Sequence, residues 1–230
     1  MMDTKAGIKT LVLEMEAGSH PFVVHTALLW DEHGVVLVDT GLPGQLALIG
    51  AAMEKEGLPL ELLAGVVITH QDRDHIGSLP EIVASKEGRV RVLAHELAVP
   101  YLSGDVPLIK SGQKASPVHV DVALQDGTVL PIAGGLQVVH TPGHTPDHIS
   151  LYHIPSRTLI AGDALTAQDG VLLPFNPGFT QDHALAARSI AKLMTFEIDT
   201  VIAYHGGVAS GGIKERLQEI VRELELSLNS

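Results

Sequence analysis

The chain has 230 residues, 45% of them hydrophobic, which is enough to bury one domain over residues 1–230 and too little for two comfortable ones. A formal net charge of -12 repels phosphate backbones, so nucleic acid is not an expected partner. With 13 His and 0 Cys there is no disulfide framework and no thiolate metal site, and any metal must be held by nitrogen and oxygen. The N-terminus carries no basic stretch followed by an apolar one, and no run of about 18 apolar residues occurs, so the expectation is a cytoplasmic protein without a membrane partner.

Short β-type runs alternate with helical segments, and Gly or Pro punctuates nearly every join, which is an α/β pattern. Residues 35–38 form an apolar run closed by Asp39, Thr40 and Gly41, and residues 42–56 read as a helix ended by Gly57 and Pro59. Residues 66–69 predict the next strand, residues 76–86 a helix stopped by Gly88, and residues 90–94 a strand again. The pattern weakens over residues 101–120, where Gly104, Pro107, Gly112 and Pro117 break any period, as in a substrate-covering segment. Strands resume at residues 136–139, 149–153 and 158–160. Thr180 is the expected N-cap of a helix placing Ala186, Ile190 and Leu193 on one face, residues 201–204 predict the last strand, and Ile213, Leu217, Ile220 and Leu224 stand at helical spacing near the end.

Four clusters at predicted strand ends carry chemistry. Thr69 to His75 reads THQDRDH, placing two imidazoles and two carboxylates within six residues directly after a buried apolar run, where unpaired groups of this kind are costly to desolvate. His140 to His148 is a Pro- and Gly-rich turn with several imidazoles; Gly162-Asp163 sets an acid behind a glycine; and His205 follows the last strand with Gly206 and Gly207 behind it. Loops along one rim of a layered α/β scaffold are where sites are usually assembled.

HxDxDH at 70–75, TPGHT at 141–145, GD at 162–163, VDTG at 38–41 and His205 resemble the metallo-β-lactamase superfamily in order and spacing, over nearly the whole chain. The usual motif there is HxHxDH, so Asp72 is a departure. The resemblance implies a four-layer αββα sandwich and a dinuclear centre, with His70, Asp72 and His144 on one metal, Asp74, His75 and His205 on the other, and Asp163 bridging them. The implied cofactors are two divalent ions per chain, zinc first, with Mn or Fe as alternatives. Two ions roughly 3.5–4 Å apart need a shared anion and activate a hydroxide between them, so the expected reaction is hydrolysis, with Asp74 as the catalytic group that orients the hydroxide and shuttles its proton. Asp72 adds a third carboxylate to Asp74 and Asp163 and makes the cluster less positive than the usual pattern, with harder donors better suited to Mn or Fe.

His140 and His148 are expected either to support the ligand loop or to be satisfied by nearby backbone, His95 to reach the site rim or to pack, and Asp39 to orient a ligating imidazole. The residues after Asp163 lack the basic side chains that glyoxalase II-like enzymes place there and the tyrosine of acyl-homoserine lactonases, Thr166 standing in that neighbourhood. Residues 171–177, apolar and stiffened by proline, together with residues 101–120 are expected to wall an apolar acyl pocket. The expectation is a hydrolase of an ester, thioester or lactone in a small-molecule substrate whose binding residues, like the oligomeric state, are not readable. The alternatives are an iron redox protein resembling flavodiiron enzymes, a phosphodiesterase, and a non-catalytic metal-binding sensor.

Overall fold

The computed structural model describes residues 6–228. Its elements in chain order are β1 (Gly7–Ala17), β2 (His20–Asp31), β3 (Gly34–Val38), α1 (Leu46–Lys55), β4 (Leu63–Ile68), α2 (Arg73–Ile76), α3 (Leu79–Ser85), β5 (Arg91–His95), α4 (Val99–Leu102) and β6 (Val122–Leu124) in the first half. The second half holds β7 (Val129–Leu130), β8 (Leu136–His140), β9 (Ile149–His153), β10 (Thr158–Gly162), β11 (Thr166–Gln168), β12 (Val171–Leu173), α5 (His183–Leu193), β13 (Thr200–Ala203), β14 (Gly207–Ser210) and α6 (Ile213–Leu228). Strands β1 to β6 make one sheet in sequence order; the other runs β14-β13-β10-β9-β8-β7, and β11 pairs with β12 alone.

Strand alternation builds the layers. Successive side chains point to opposite faces, so a strand buried on both sides feeds two cores. Val66 and Ile68 of β4 join Val92 and Ala94 of β5 against Ile49 and Met53 of α1 and Leu79 and Ile82 of α3. Their alternates Val67 and Leu93 face the other sheet and meet Val138, Leu151, Ile160 and Ile202. On the far side, Val139, Leu159 and Val201 pack on Ile190 and Leu193 of α5 and on Ile213, Leu217 and Ile220 of α6. Three cores between helices, sheet, sheet and helices are the signature of a four-layer αββα sandwich. Each fully buried Leu, Ile or Val in them contributes roughly 1.5–3 kcal/mol over leaving it in water.

Both sheets are mixed. β3, β4, β5 and β6 run parallel, as do β10 and β13, whereas the hairpin β1–β2 and the pairs around β9 are antiparallel. Two backbone bonds stitch the sheets together at one edge, Ile149 N–H to the Thr69 carbonyl (2.9 Å) and His25 N–H to the Tyr204 carbonyl (2.9 Å). Among the described residues no helix is long and apolar enough to cross a membrane.

Several sequence-derived boundaries move. The helix expected over 42–56 starts at Leu46, because Pro43 and Gly44 (φ 83) turn the chain first. The helix expected over 76–86 starts only at Leu79, as α3; Ile76 instead ends the short α2, and the break falls at Gly77, where a Cβ would meet Pro43 N at 2.3 Å. Asp182, not Thr180, caps α5, accepting from Leu185 N–H at 2.8 Å. The hairpin β1–β2 is absent from the sequence-derived elements: β2 is buried on both faces over Ala27, Leu28 and Leu29 and gives no alternation to read, whereas β1 does alternate, with Leu11, Leu13 and Met15 inward, and was passed over.

Gly143 seats the loop of His144 on the start of α5: it has φ 132, its carbonyl accepts from Gln181 and Asp182 N–H, and a Cβ would lie 2.3 Å from Ala186 N. Gly170 has φ 79 with nothing within 4 Å of that position. Gly170→Ala is therefore expected to cost about 1–2 kcal/mol of unfolding free energy, the strain alone. Gly143→Ala should cost clearly more, because α5 must also move, and urea denaturation of the two variants measures the difference.

Candidate metal centre

Each sequence-predicted ligand comes at or just after the C-terminal end of a strand, and all these ends lie on the same edge of the sandwich. His70 stands two residues past β4, with Asp72 at the start of α2 and Asp74 and His75 within it. His144 lies in the loop after β8, Asp163 directly follows β10, and His205 stands two residues past β13. Ligand-type atoms of His70, Asp72, His144 and Asp163 all lie within 4.8 Å of one another, and so do those of Asp74, His75 and His205. All seven residues are thus brought together, although the first and last, 70 and 205, are 135 positions apart in sequence.

Asp163 stands between the two groups. Its Oδ1 is 3.3 Å from His75 Nε2, and its Oδ2 is 3.2 Å from His144 Nε2 and 3.5 Å from His205 Nε2. Asp72 Oδ2 lies 3.0 Å from His144 Nε2 and 3.2 Å from His70 Nε2. Asp74 Oδ2 lies 3.3 Å from His205 Nε2 and 3.8 Å from His75 Nε2.

Hydrogen bonds behind the rings fix which nitrogen faces the cluster. Asp39, as the sequence suggests, accepts from His75 Nδ1 at 2.8 Å and also from Thr69 Oγ1 at 2.7 Å. With its proton committed there, Thr69 Oγ1 accepts from His70 Nδ1 at 3.0 Å. Thr180 Oγ1 donates to the Asn176 carbonyl at 2.9 Å and accepts from His144 Nδ1 at 3.4 Å. In all three rings Nδ1 is the outward donor, so Nε2 is the atom presented to the cluster.

The electrostatics follow from crowding. Burial opposes the charge on Asp163, but the His75 and His205 imidazoles outweigh it and hold its carboxyl well below the usual range. Asp72 is likewise held far below that range against burial, by His70, His144 and Lys110. Burial opposes protonation of His205, yet Asp163 and Asp74 push its pKa up to about 9, and Asp163, Asp39 and Asp74 likewise raise that of His75.

The donor set fits divalent cations. His70 Nε2, His75 Nε2 and Asp163 Oδ1 are buried without a hydrogen-bond partner, a costly state for three polar atoms aimed at one another. Imidazole nitrogen and carboxylate oxygen, with no sulfur, suit zinc, manganese or iron.

Residues outside the ligand set divide cleanly. His148 is a positioning residue: its Nε2 accepts from Asp163 N–H at 2.9 Å and its Nδ1 meets Thr141 Oγ1 at 2.9 Å, with burial and the neighbouring His70 and His144 keeping it neutral. His95 does not reach the site; its ring stacks on His140 at 4.2 Å, and His140 Nε2 contacts the Pro146 carbonyl at 2.9 Å. Phe175 of the expected pocket wall is instead core under α5, and Phe179 lines the cavity. Sequence reasoning missed Lys110, whose Nζ pairs with Asp72 and lies 2.7 Å from His144 Nε2. It also missed Gln71, inside HxDxDH, and Asp147, in the turn of residues 140–148: the Gln71 backbone N–H and side-chain amide donate to the Asp147 carboxylate, and Gln71 Oε1 accepts from Ile109 N–H at 2.7 Å. Nothing in the sequence marks either one: that Gln71 and Asp147 are fully buried is seen only in the structure.

Residues 20–205 match the family model of the metallo-beta-lactamase superfamily. A probable metallo-hydrolase of Bacillus subtilis, YflN, is 32% identical over 92% of both chains. A hydroxyacylglutathione hydrolase of Rhodopseudomonas palustris is 34% identical over 50% of this chain and 38% of its own length. The crystal structure of the metallo-beta-lactamase family protein TTHA1429 from Thermus thermophilus superposes with a TM-score of 0.69 at 22% identity, covering 97% of this chain and 81% of that one, a likeness of fold. By motif, fold and family match together, this chain belongs to the metallo-β-lactamase superfamily.

Proposed function

We propose that the protein is a hydrolase that holds two divalent cations, zinc first among them, and cleaves an ester, thioester or lactone bond in a small molecule. The observation that carries this reading is Asp163, a buried carboxylate with one oxygen toward His75 and the other toward His144 and His205, so that a single anion serves both donor groups. His70, Asp72 and His144 would hold one ion, and Asp74, His75 and His205 the other. When bound, such ions polarise a carbonyl oxygen and lower the pKa of water to about 7.

The chain's own groups supply the rest. Asp72, Asp74, His144, Asp163 and His205 form the floor of a cavity of about 570 Å³. Phe22, Leu42, Leu108 and Phe179 line its walls, an apolar surface suited to an acyl group and to excluding bulk water. Asp74 keeps 23% of its side-chain surface exposed, enough to meet a substrate. There it would orient the attacking water and pass its proton to the leaving group. The kinship with a probable metallo-hydrolase supports hydrolysis, and that with a hydroxyacylglutathione hydrolase, over half of this chain, supports an acyl substrate. The net charge of -12 argues against nucleic acid.

After zinc reconstitution, a panel of p-nitrophenyl esters, thioesters, lactones and phosphodiesters should show cleavage of at least one acyl class and none of the phosphodiesters. On the cleaved substrate, Asp74→Asn should lower kcat by about 100-fold or more. A panel blank for every acyl class, or an unimpaired Asp74→Asn, rejects the reading.

The imidazoles also predict a pH dependence. In metal-stripped protein His205 has its pKa raised from 6.5 to about 9, so its stabilising contribution is complete below 6.5 and lost as pH rises through 9. Asp72 and Asp163 have depressed values, so theirs is present above 3.8 and lost on acidification. His148 and His144 have depressed values, so theirs is present above 6.5 and lost as pH falls below it, and the melting temperature of metal-stripped protein should therefore peak near pH ~6.5 and fall toward pH 9 and toward pH 4. Zinc-loaded protein should hold its melting temperature across that alkaline range, and differential scanning fluorimetry from pH 4 to 10 compares the two.

A further inference from the structure

Lys110 lies outside every motif, yet its ammonium bonds Asp72 Oδ2 and lies 2.7 Å from His144 Nε2. These are two of the atoms that the first donor group presents. The contact is built: Ile109 N–H is anchored to Gln71 Oε1 at 2.7 Å, and Gln71 is itself clamped by two bonds to the Asp147 carboxylate. That brace sets the backbone next to Lys110 against the ligand loop. The second group differs. Lys110 makes no hydrogen bond to Asp74, His75 or His205; His70 Nε2 and His75 Nε2 are both without a partner, but only the first group has two of its atoms engaged by an ammonium.

We propose that Lys110 is an internal cation that competes with the metal for the first position, so that the two positions fill in order, Asp74/His75/His205 before His70/Asp72/His144. A divalent ion on Asp72 Oδ2 and His144 Nε2 needs the electron pairs that the ammonium engages, and two cations sharing one carboxylate oxygen repel each other. The lysine has a way out, since its side chain is 27% exposed and lines the cavity beside Ser111 and Leu108. Its stem can swing into that space when an ion arrives. Binding at the first position therefore carries the cost of breaking the Lys110–Asp72 pair, and binding at the second does not. The assignment rests on the two-cation reading above and not on which bond is hydrolysed.

Competitive titration of metal-stripped protein with zinc against a chromophoric chelator tests it. Wild type should bind one tight and one weaker equivalent. In Lys110→Met, which keeps the apolar stem, the weaker equivalent should tighten by about tenfold or more while the tight one is unchanged. The exposed Lys114 on the same segment gives the control, with Lys114→Met matching wild type. His144→Ala should retain the tight equivalent and His205→Ala should lose it, which assigns the order, and circular dichroism of each variant confirms folding. Identical isotherms for wild type and Lys110→Met, a weaker second equivalent in Lys110→Met, or loss of the tight equivalent in His144→Ala overturns the proposal. Should neither wild type nor Lys110→Met bind zinc, the metal reading itself falls and this inference with it; two bound equivalents without acyl cleavage would sink only the choice of hydrolase.

Discussion

The costliest arrangement in this molecule is the removal of the Asp39, Asp72 and Asp163 carboxylates from water, with Asp74 partly shielded beside them. An isolated buried carboxylate is tolerated only when paired and hydrogen-bonded. Here each one faces imidazole nitrogens, and Asp39 is further bonded by Thr69 N–H and Oγ1. Charge compensation is what the edge loops exist to provide. The three cores hold the sheets in place; the loops between them converge because opposite charges and orphaned nitrogens would otherwise be stranded.

Topology makes that convergence cheap. β3 and β4 run parallel, as do β10 and β13, so the chain leaves β3, β4, β10 and β13 at one rim. Two bonds across the sheets, from Ile149 to Thr69 and from His25 to Tyr204, tie the rims of both sheets together beside the ligands. Tyr204 adds a third link, its ring lying 3.8 Å from that of His75 while its hydroxyl donates to the Asp74 carbonyl. The N-terminal hairpin contributes as well, since Phe22 meets His205 edge-on at 5.8 Å and closes one wall of the cavity.

How much of this was legible in the sequence follows from how local each signal is. The strand of His153, the helix carrying Ile190 and the acidic loop at 70–75 announce themselves through period and composition, and the structure has an element at each. His70, Asp72, Asp74 and His75 are close in sequence and readable as a unit; tying them to His144, Asp163 and His205 required the ordered motifs of a family, because nothing in spacing alone joins residue 70 to residue 205. Boundaries failed where tertiary contact overrides propensity, as at Gly77, which abuts Pro43, and at Thr180, which the His144 ring and the Asn176 carbonyl occupy, leaving Asp182 to cap the helix. Phe179 was passed over for Phe175 because a loop sequence does not say which of two aromatic side chains turns inward.

Lys110 changes the charge argument that Asp72 invites. Counted from the motif alone, replacing an imidazole by a carboxylate leaves the centre one charge more negative. The structure sets an ammonium against that same carboxylate, so Lys110 offsets the charge that Asp72 adds. The brace through Gln71 and Asp147 sets the backbone beside Lys110, 38 positions from Asp72, against the acidic loop. In a centre built this way the Asp72 carboxylate faces the ammonium when no ion is bound, so it is not left buried without a counter-charge.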